Sequence, residues 1–561
     1  MTSAFPPALV LALGAFLLPV AGPRFRAALV LGLPLVTLVL VTALPDGRAA
    51  PVAFLDYGLT LVHIDPLGRL FAIIFALMAF AGGLFALRQQ STLELVSALV
   101  YAGGAIGVAL AGDLISLFVW WEVMALASST VIISVGGEHS VRVAMRYFMV
   151  HMIGGSLLLA GVLLHLDAGG AVTIGELDAG TASGALILAG VLVNAAAPPI
   201  SAWLADAYPE GSFSGTVFLS AFTTKAAVYV LIRVFPGTEI LVPVGLFMIF
   251  YGIIYALLEN DMRRILAYSI VNQVGFMVTG AGIGTQMALN GAAAHAFAHI
   301  IYKALLLMSA GSVLYMTGKR KCSDLGGLFQ SMPVTTICGT IGALAISSFP
   351  WTSGFVSKSM ISQAAGDEYL VWTWFLLMAA SAGVFLHAGI KFPWFVFFQK
   401  DSGLRPPDPP WNMQVAMIFF AVLCIALGVW PEPLYALLPY PVDYVPYTVP
   451  HVVNMLQLLL FSGLAFFLML PMMQRTLTIT LDFDWLYRHL APRLIVESAD
   501  AVANAARAFR TAAHRHLGNI VVVMQRRIGP HSALARSTET AGMVLVVVAV
   551  LSVYLVLTLI L

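Results

Sequence analysis

About sixteen apolar stretches, each near the roughly 20 residues that span a bilayer as helix, run through this chain of 561 residues. They fall at 4–21, 26–45, 66–88, 92–111, 112–134, 141–166, 182–200, 212–234, 240–258, 262–283, 286–316, 334–362, 370–398, 411–431, 449–473 and 541–561. Lipid offers backbone groups no partners, so such segments must satisfy their own hydrogen bonds as helices. The sequence therefore reads as an all-α polytopic membrane protein. Only Ala111-Gly112-Asp113 separates the fourth segment from the fifth. The first segment lacks a charged stretch before it and is followed at once by more apolar sequence. It reads as a retained span rather than a cleaved signal.

Composition excludes several classes. Hydrophobic residues make up 60% of the chain and charged ones 10%, against roughly 25% charged in soluble proteins. Lys+Arg total 28 and Asp+Glu 27, so no basic excess meets nucleic acid. Cys322, Cys338 and Cys424 form no CxxC pair and give no zinc or iron–sulfur signature. No dinucleotide, Walker or HExxH motif occurs. The expectation is a chain with no catalytic site, metal or cofactor of its own.

Loop charge sets orientation. With the N-terminus outside, the inside loops and helix ends hold Arg24, Arg26, Arg88, Arg142, Arg146, Arg263, Arg264, Lys319, Arg320, Lys321, Lys400 and Arg405. The outside ones hold Arg48, Arg69 and Arg233. Twelve against three follows the positive-inside rule. The segment 474–540 is the one long polar insertion, rich in Ala, Leu, Val and Arg. It reads as a basic amphipathic helix at the cytoplasmic surface, broken near its start by Pro492 and ended by Gly529-Pro530. About 35 helical residues would reach roughly 50 Å, enough to brace a neighbouring subunit; a helix lying only on lipid headgroups is the alternative. Asp482 and Asp484 are expected to cap or anchor it at the surface.

A few charges remain within spans. These are Glu122, Lys225, Lys303, Lys358 and Lys391, with His151, His295, His299 and His387. A charge at the bilayer centre costs about 2.5–3.5 kcal/mol on insertion scales, so these groups must face the bundle interior, water or one another. His295, His299 and Lys303 recur every four residues and share one helix face, a line of titratable groups about 12 Å long. Histidine titrates near neutral pH, which suits a proton relay. The plainer reading is neutral histidines hydrogen-bonded within the packing. Pro198-Pro199, and Pro350 with Gly354, break two helices. Such breaks persist in membranes where protein or a water-filled cavity satisfies the freed groups, and they recur in secondary transporters.

The chain resembles the antiporter-like membrane subunits shared by Mrp-type cation/proton antiporters, complex I and membrane-bound hydrogenases. The resemblance covers about 60–430 and is carried by WWEVMALAS around Glu122, PPISAWLADAYPE at 198–210, TTKAAVYVLIR at 223–233, ENDMRRILAYSIVNQVGF at 259–276, HAFAHIIYKALLLMSAGSV at 295–313, DLGGL at 324–328 and FPWTSGFVSKSM at 349–360. It implies a fourteen-helix core with two inverted five-helix repeats, each with one broken helix, and a C-terminal lateral amphipathic helix. The implied organisation is N-terminal helices at 1–91, repeats at 92–234 and 240–398, core helices at 411–473, the lateral segment at 474–540 and a final span at 541–561. The implied proton path runs through Glu122, Lys225, His295, His299, Lys303 and Lys358, with Asn194 and, on the thirteenth helix, His387 and Lys391 as further candidates. Where the family usually carries a lysine in its broken seventh helix, this chain has Asn194. Asn194 could hydrogen-bond Glu122 or hold water, and Lys225 could take over the pairing.

Three functions compete. One is a proton-translocating subunit of a multisubunit Mrp-type Na+/proton antiporter in the plasma (inner) membrane of a bacterium, working with other membrane subunits, protons and Na+. The second is a pump subunit of a complex I-like or hydrogenase-like redox complex. The third is a degenerate structural copy, suggested by Asn194. No ring of ligands or filter points to a free-standing channel.

Overall fold

The computed structural model describes residues 5–471, 482–529, 532 and 540–560. It divides into two compact units, Met1–Asp484 and Trp485–Leu561. Among the described residues, thirteen helices are long and apolar enough to cross a membrane, and three shorter apolar ones cover Pro7–Val20, Ala182–Asn194 and Pro333–Ile346. Each apolar segment read from the sequence overlaps one of these sixteen. The close division holds: Asp113 starts the helix Leu114–Ile133 by accepting from the Ser116 backbone N–H at 2.7 Å, and it also takes the Thr60 N–H at 2.8 Å. A buried carboxylate capping a helix start satisfies otherwise orphaned donors.

One element departs from an all-helical reading. Gly47–Phe54 and Tyr57–Ile64 form an antiparallel hairpin closed by Leu55 and Asp56. Its second strand buries Leu59, Val62 and Ile64 and leaves its other residues at least partly exposed. His63 of this strand accepts from Arg233 at 3.1 Å, and Arg233 also pairs with Asp65. Burial, helped by the Arg233 charge, holds His63 below its ordinary pKa of 6.5.

The helices break where backbone donors are lost. Ala182–Asn194 stops before Pro198-Pro199 and helix resumes at Trp203–Ala207. Pro333–Ile346 stops before Pro350 and resumes at Ser353–Asp367. A third interruption, not expected from the sequence, falls at Ser220–Phe222, between Gly215–Leu219 and Thr223–Val234. The span after Val371–Val384 continues as two π-helical stretches, Phe385–Lys391 and Trp394–Phe398.

The motifs at 198–210 and 259–264 pin the connections on one side. Trp203 Nε1 donates to the Val193 carbonyl at 3.1 Å, across the break. Asp206 takes two bonds from Arg146, at 2.9 and 3.0 Å. Asp261 caps the helix Met262–Ile283 and pairs with Arg320 at 2.8 Å, while Arg320 also reaches Glu210 at 3.0 Å. Forked guanidinium–carboxylate pairs of this kind fix geometry as well as charge. Asp482 does not cap the helix that follows. Its carboxylate accepts from Tyr251 at 2.6 Å and Tyr268 at 2.5 Å, so it belongs to the first unit.

The second unit holds the helix Ala491–Ile528, 38 residues long, about 57 Å at 1.5 Å per residue. Pro492 sits in its first turn rather than breaking it, where proline's missing N–H has no helical partner to lose. The final helix is Thr540–Ile560. Parts of the sequence segment 474–540, namely 474–481, 530–531 and 533–539, lie outside the described residues.

Candidate functional site

The helix Gln286–Thr317 presents His295, His299 and Lys303, all fully buried. Lys303 Nζ donates to Ser269 Oγ at 2.9 Å and the Leu266 carbonyl at 3.3 Å. His299 has no hydrogen-bond partner on either ring nitrogen among the described residues, and its ring meets Tyr302 edge-on at 5.2 Å. His295 Nε2 contacts Gln273 Oε1 at 3.0 Å and its Nδ1 contacts Ser357 Oγ at 3.2 Å. Tyr302 also donates to Gln273, at 3.1 Å. His295 is thus held on both nitrogens, while neither nitrogen of His299 has a hydrogen-bond partner among the described residues.

Ser357 leads to Lys358, its neighbour on the helix that restarts after the Pro350 break. The Lys358 ammonium lies 4.9 Å from the centre of the Phe276 ring, within the range of cation–π attraction. It has no hydrogen-bond partner among the described residues. It lines a cavity of about 230 Å³ with Ser362, Gln363, Tyr444, Thr448 and His451.

Lys225 opens the helix that follows the third interruption. Its Nζ donates to the Ser220 carbonyl at 2.7 Å and Thr224 Oγ1 at 3.0 Å. The lysine therefore satisfies a carbonyl that the break leaves without a helical donor. It does not pair with Glu122. Lys225 instead lies within electrostatic range of His295, His299 and Lys303.

Asn194 also departs from expectation. Its Oδ1 takes the proton of His151 Nδ1 at 2.7 Å, not a contact with Glu122. Glu122 packs over Gly155 instead and leaves Oε1 buried without a partner. Between this group and Lys225 stand three buried tyrosines. The Tyr147 ring is 4.2 Å from His151, and its hydroxyl donates to Ser128 at 2.9 Å. Tyr147, Tyr208 and Tyr101 gather around Thr223, and Tyr101 contacts the Thr223 hydroxyl at 2.5 Å. Sequence reasoning passed over these phenols. The spacing of Tyr147, His151 and Gly155, one helical turn apart each, is the signal that could have found them.

His387 and Lys391 are built differently. His387 Nδ1 bonds its own helix at the Gly383 carbonyl, 2.8 Å away. Lys391 Nζ donates to the carbonyls of Ala256, Leu257 and Glu259 at 3.0, 2.6 and 2.5 Å. It closes the C-terminal end of the helix Leu241–Leu258, where a cation meets the negative end of the helix dipole. Lys391→Ala leaves three buried carbonyls short of a donor. A charged hydrogen bond contributes roughly 1.5–3 kcal/mol. The expected result is a clearly lowered melting temperature in detergent with ion exchange per folded molecule unchanged; loss of exchange at unchanged stability would assign Lys391 to the path instead.

Residues 111–386 match the family described as NADH:quinone oxidoreductase/Mrp antiporter, transmembrane. A Na(+)/H(+) antiporter subunit of Alkalihalophilus pseudofirmus is 30% identical over 357 residues, covering 59% of this chain and 71% of that protein. The chain belongs to the NADH:quinone oxidoreductase/Mrp antiporter family. Another member, an NADH-quinone oxidoreductase subunit of Desulforudis audaxviator, is 31% identical over 331 residues, 54% of this chain and 66% of that one. The family fold extends further than the sequence match: a chain of the Mrp complex from Dietzia sp. DQ12-45-1b superposes with a TM-score of 0.74 at 23% identity, over 98% of this chain and 62% of that chain. Among the first curated relatives of the family, the matched part spans from 36% to 71% of their own length.

Proposed function

We propose that this chain is the proton-translocating subunit of a multisubunit Mrp-type Na+/proton antiporter. It would sit in the plasma membrane of a bacterium with its N-terminus outside, among other membrane subunits. The Mrp-type host is supported by the similarity to the Alkalihalophilus pseudofirmus subunit. The observation that supports proton translocation is the buried polar line. It runs from Glu122 past the tyrosines around Thr223 to Lys225, then Lys303, His299 and His295, and through Ser357 to Lys358 and its cavity. Such a row is expensive in a membrane interior unless protons use it. In this reading the helices of 92–234 hold the first half of the line and those of 240–398 the second. The name of the Alkalihalophilus pseudofirmus relative supports Na+ as the exchanged ion.

A second reading, a pump subunit of a redox complex, is favoured by the similarity to the NADH-quinone oxidoreductase subunit of Desulforudis audaxviator. The buried line serves either host equally. Retention of its lysines speaks against a degenerate copy, since idle buried charges are costly. The test is to purify the native complex in mild detergent, identify each co-purifying chain by mass spectrometry, and assay proton release from vesicles on adding NaCl. Small membrane partners with Na+-dependent proton movement are expected. Iron–sulfur or nickel partners, with no response to NaCl, would move the chain to the redox reading.

A further inference from the structure

We propose that His151 is the proton-exchange partner of Glu122, with Asn194 fixing its ring; this rests on the proton-path reading above. Glu122 Oε1 and His151 Nε2 are both buried without a hydrogen-bond partner among the described residues. His151 belongs to the helix Gly137–Asp167, and Glu122 packs against the same helix. A Cβ at Gly155 would lie 1.8 Å from Glu122 Oε1, so the carboxyl rests directly on the backbone there. His151 stands one turn earlier on the same face, where Cβ positions are about 5–6 Å apart. In the proposed pair one water bridges carboxyl and ring, with Glu122 Oε1 and His151 Nε2 as its partners.

The tautomer is set by the neighbour. Asn194 Oδ1 can only accept, so Nδ1 carries the hydrogen of that 2.7 Å bond. In the neutral ring Nε2 is then the bare nitrogen, and in the proposed pair it exchanges with Glu122. Transfer breaks the O–H bond of Glu122 and forms N–H at Nε2, leaving a carboxylate beside an imidazolium; the reverse step restores both. The ring is also boxed by Tyr147, 4.2 Å away, and Trp203, 4.5 Å away, whose aromatic faces favour a cation. The packed elements present to the ring Asn194, Tyr147 and Trp203, and Glu122 is the titratable group one turn away, over Gly155. Asp206 nearby is already taken by Arg146. Asn194 is thus a positioning residue and His151 the group that titrates.

The test uses membrane vesicles bearing the whole complex, with proton movement driven by NaCl or KCl and the amount of assembled complex measured beside it. His151→Gln is expected to lower exchange about a hundredfold, the low end of what one positioned proton-transfer group supplies. His151→Gln with Asn194→Lys places an ammonium in the same pocket and should recover activity to within about tenfold of wild type. Gly155→Ala removes no titratable group but displaces the carboxyl, whose flexible end can yield without disturbing the fold, and should also lower exchange. Lys303→Ala separates the two levels of the argument. Inactive Lys303→Ala with wild-type exchange in His151→Gln overturns the pair and leaves the path. Wild-type exchange in both overturns the path itself. Assembled but inactive His151→Gln that Asn194→Lys does not restore overturns the titrating role of His151.

Discussion

Lys303→Ala should lower cation-driven proton exchange by about a hundredfold or more in vesicles where the complex still assembles. Lys303 is the junction of the proposed proton path. It lies within electrostatic range of Lys225, stands one turn from unpartnered His299, and is anchored by Ser269. Alanine keeps helix propensity and removes the only titratable group at that point. Lys303→Arg sharpens the expectation, because a guanidinium keeps its charge in proteins and does not release its proton. If the site needs a proton to come and go, arginine is as inactive as alanine. If it needs only a fixed charge, arginine restores exchange and the relay role of Lys303 is lost.

The second large effect is on assembly. Gly252→Val is expected to remove most of the folded protein from the membrane. A Cβ at Gly252 would lie 2.6 Å from the Asn272 backbone nitrogen and 2.7 Å from the Tyr268 carbonyl. These are backbone atoms and cannot swing aside. Gly245 and Gly275 meet in the same crossing, each Cβ falling 2.6 Å from the other's carbonyl. Small residues that let two helices approach closely are a main source of packing in membranes, where no hydrophobic force draws helices together. Overpacking typically costs about 1–3 kcal/mol, and here the displaced helix, Met262–Ile283, carries the partners of three residues of the proposed path: Ser269 for Lys303, Gln273 for His295 and Phe276 for Lys358. Gly175→Val is the control, since nothing lies within 4 Å of its Cβ. Quantifying assembled complex in membranes checks the pair. Equal amounts of both variants would show that the crossing tolerates separation.

Much of the site could be read from residue order. The row of His295, His299 and Lys303 depends only on spacing within one helix, and the Pro198-Pro199 and Pro350 breaks depend only on a missing N–H. The interruption at Ser220–Phe222 was not legible, because no proline or glycine marks it. The hairpin Gly47–Phe54 and Tyr57–Ile64 was hidden between two apolar segments, since its strands are short and only half covered. Asp482 read as a surface residue because the two tyrosines that bind it lie more than two hundred residues away in sequence.

What the sequence by itself determined are the properties carried by one segment at a time. These are which stretches are apolar enough to span, where the backbone must break, and which charges share a helix face. Only the tertiary structure decided what each buried charge meets. It gave Lys391 to the end of a neighbouring helix, Lys225 to a carbonyl at its own break, and Asn194 to His151 rather than Glu122. The physical reason is that hydrophobicity and helix geometry are summed over neighbouring residues. A hydrogen bond needs its partner within about 3 Å, and only the folded backbone, at a break such as Ser220–Phe222 or across packed helices, brings that partner into reach.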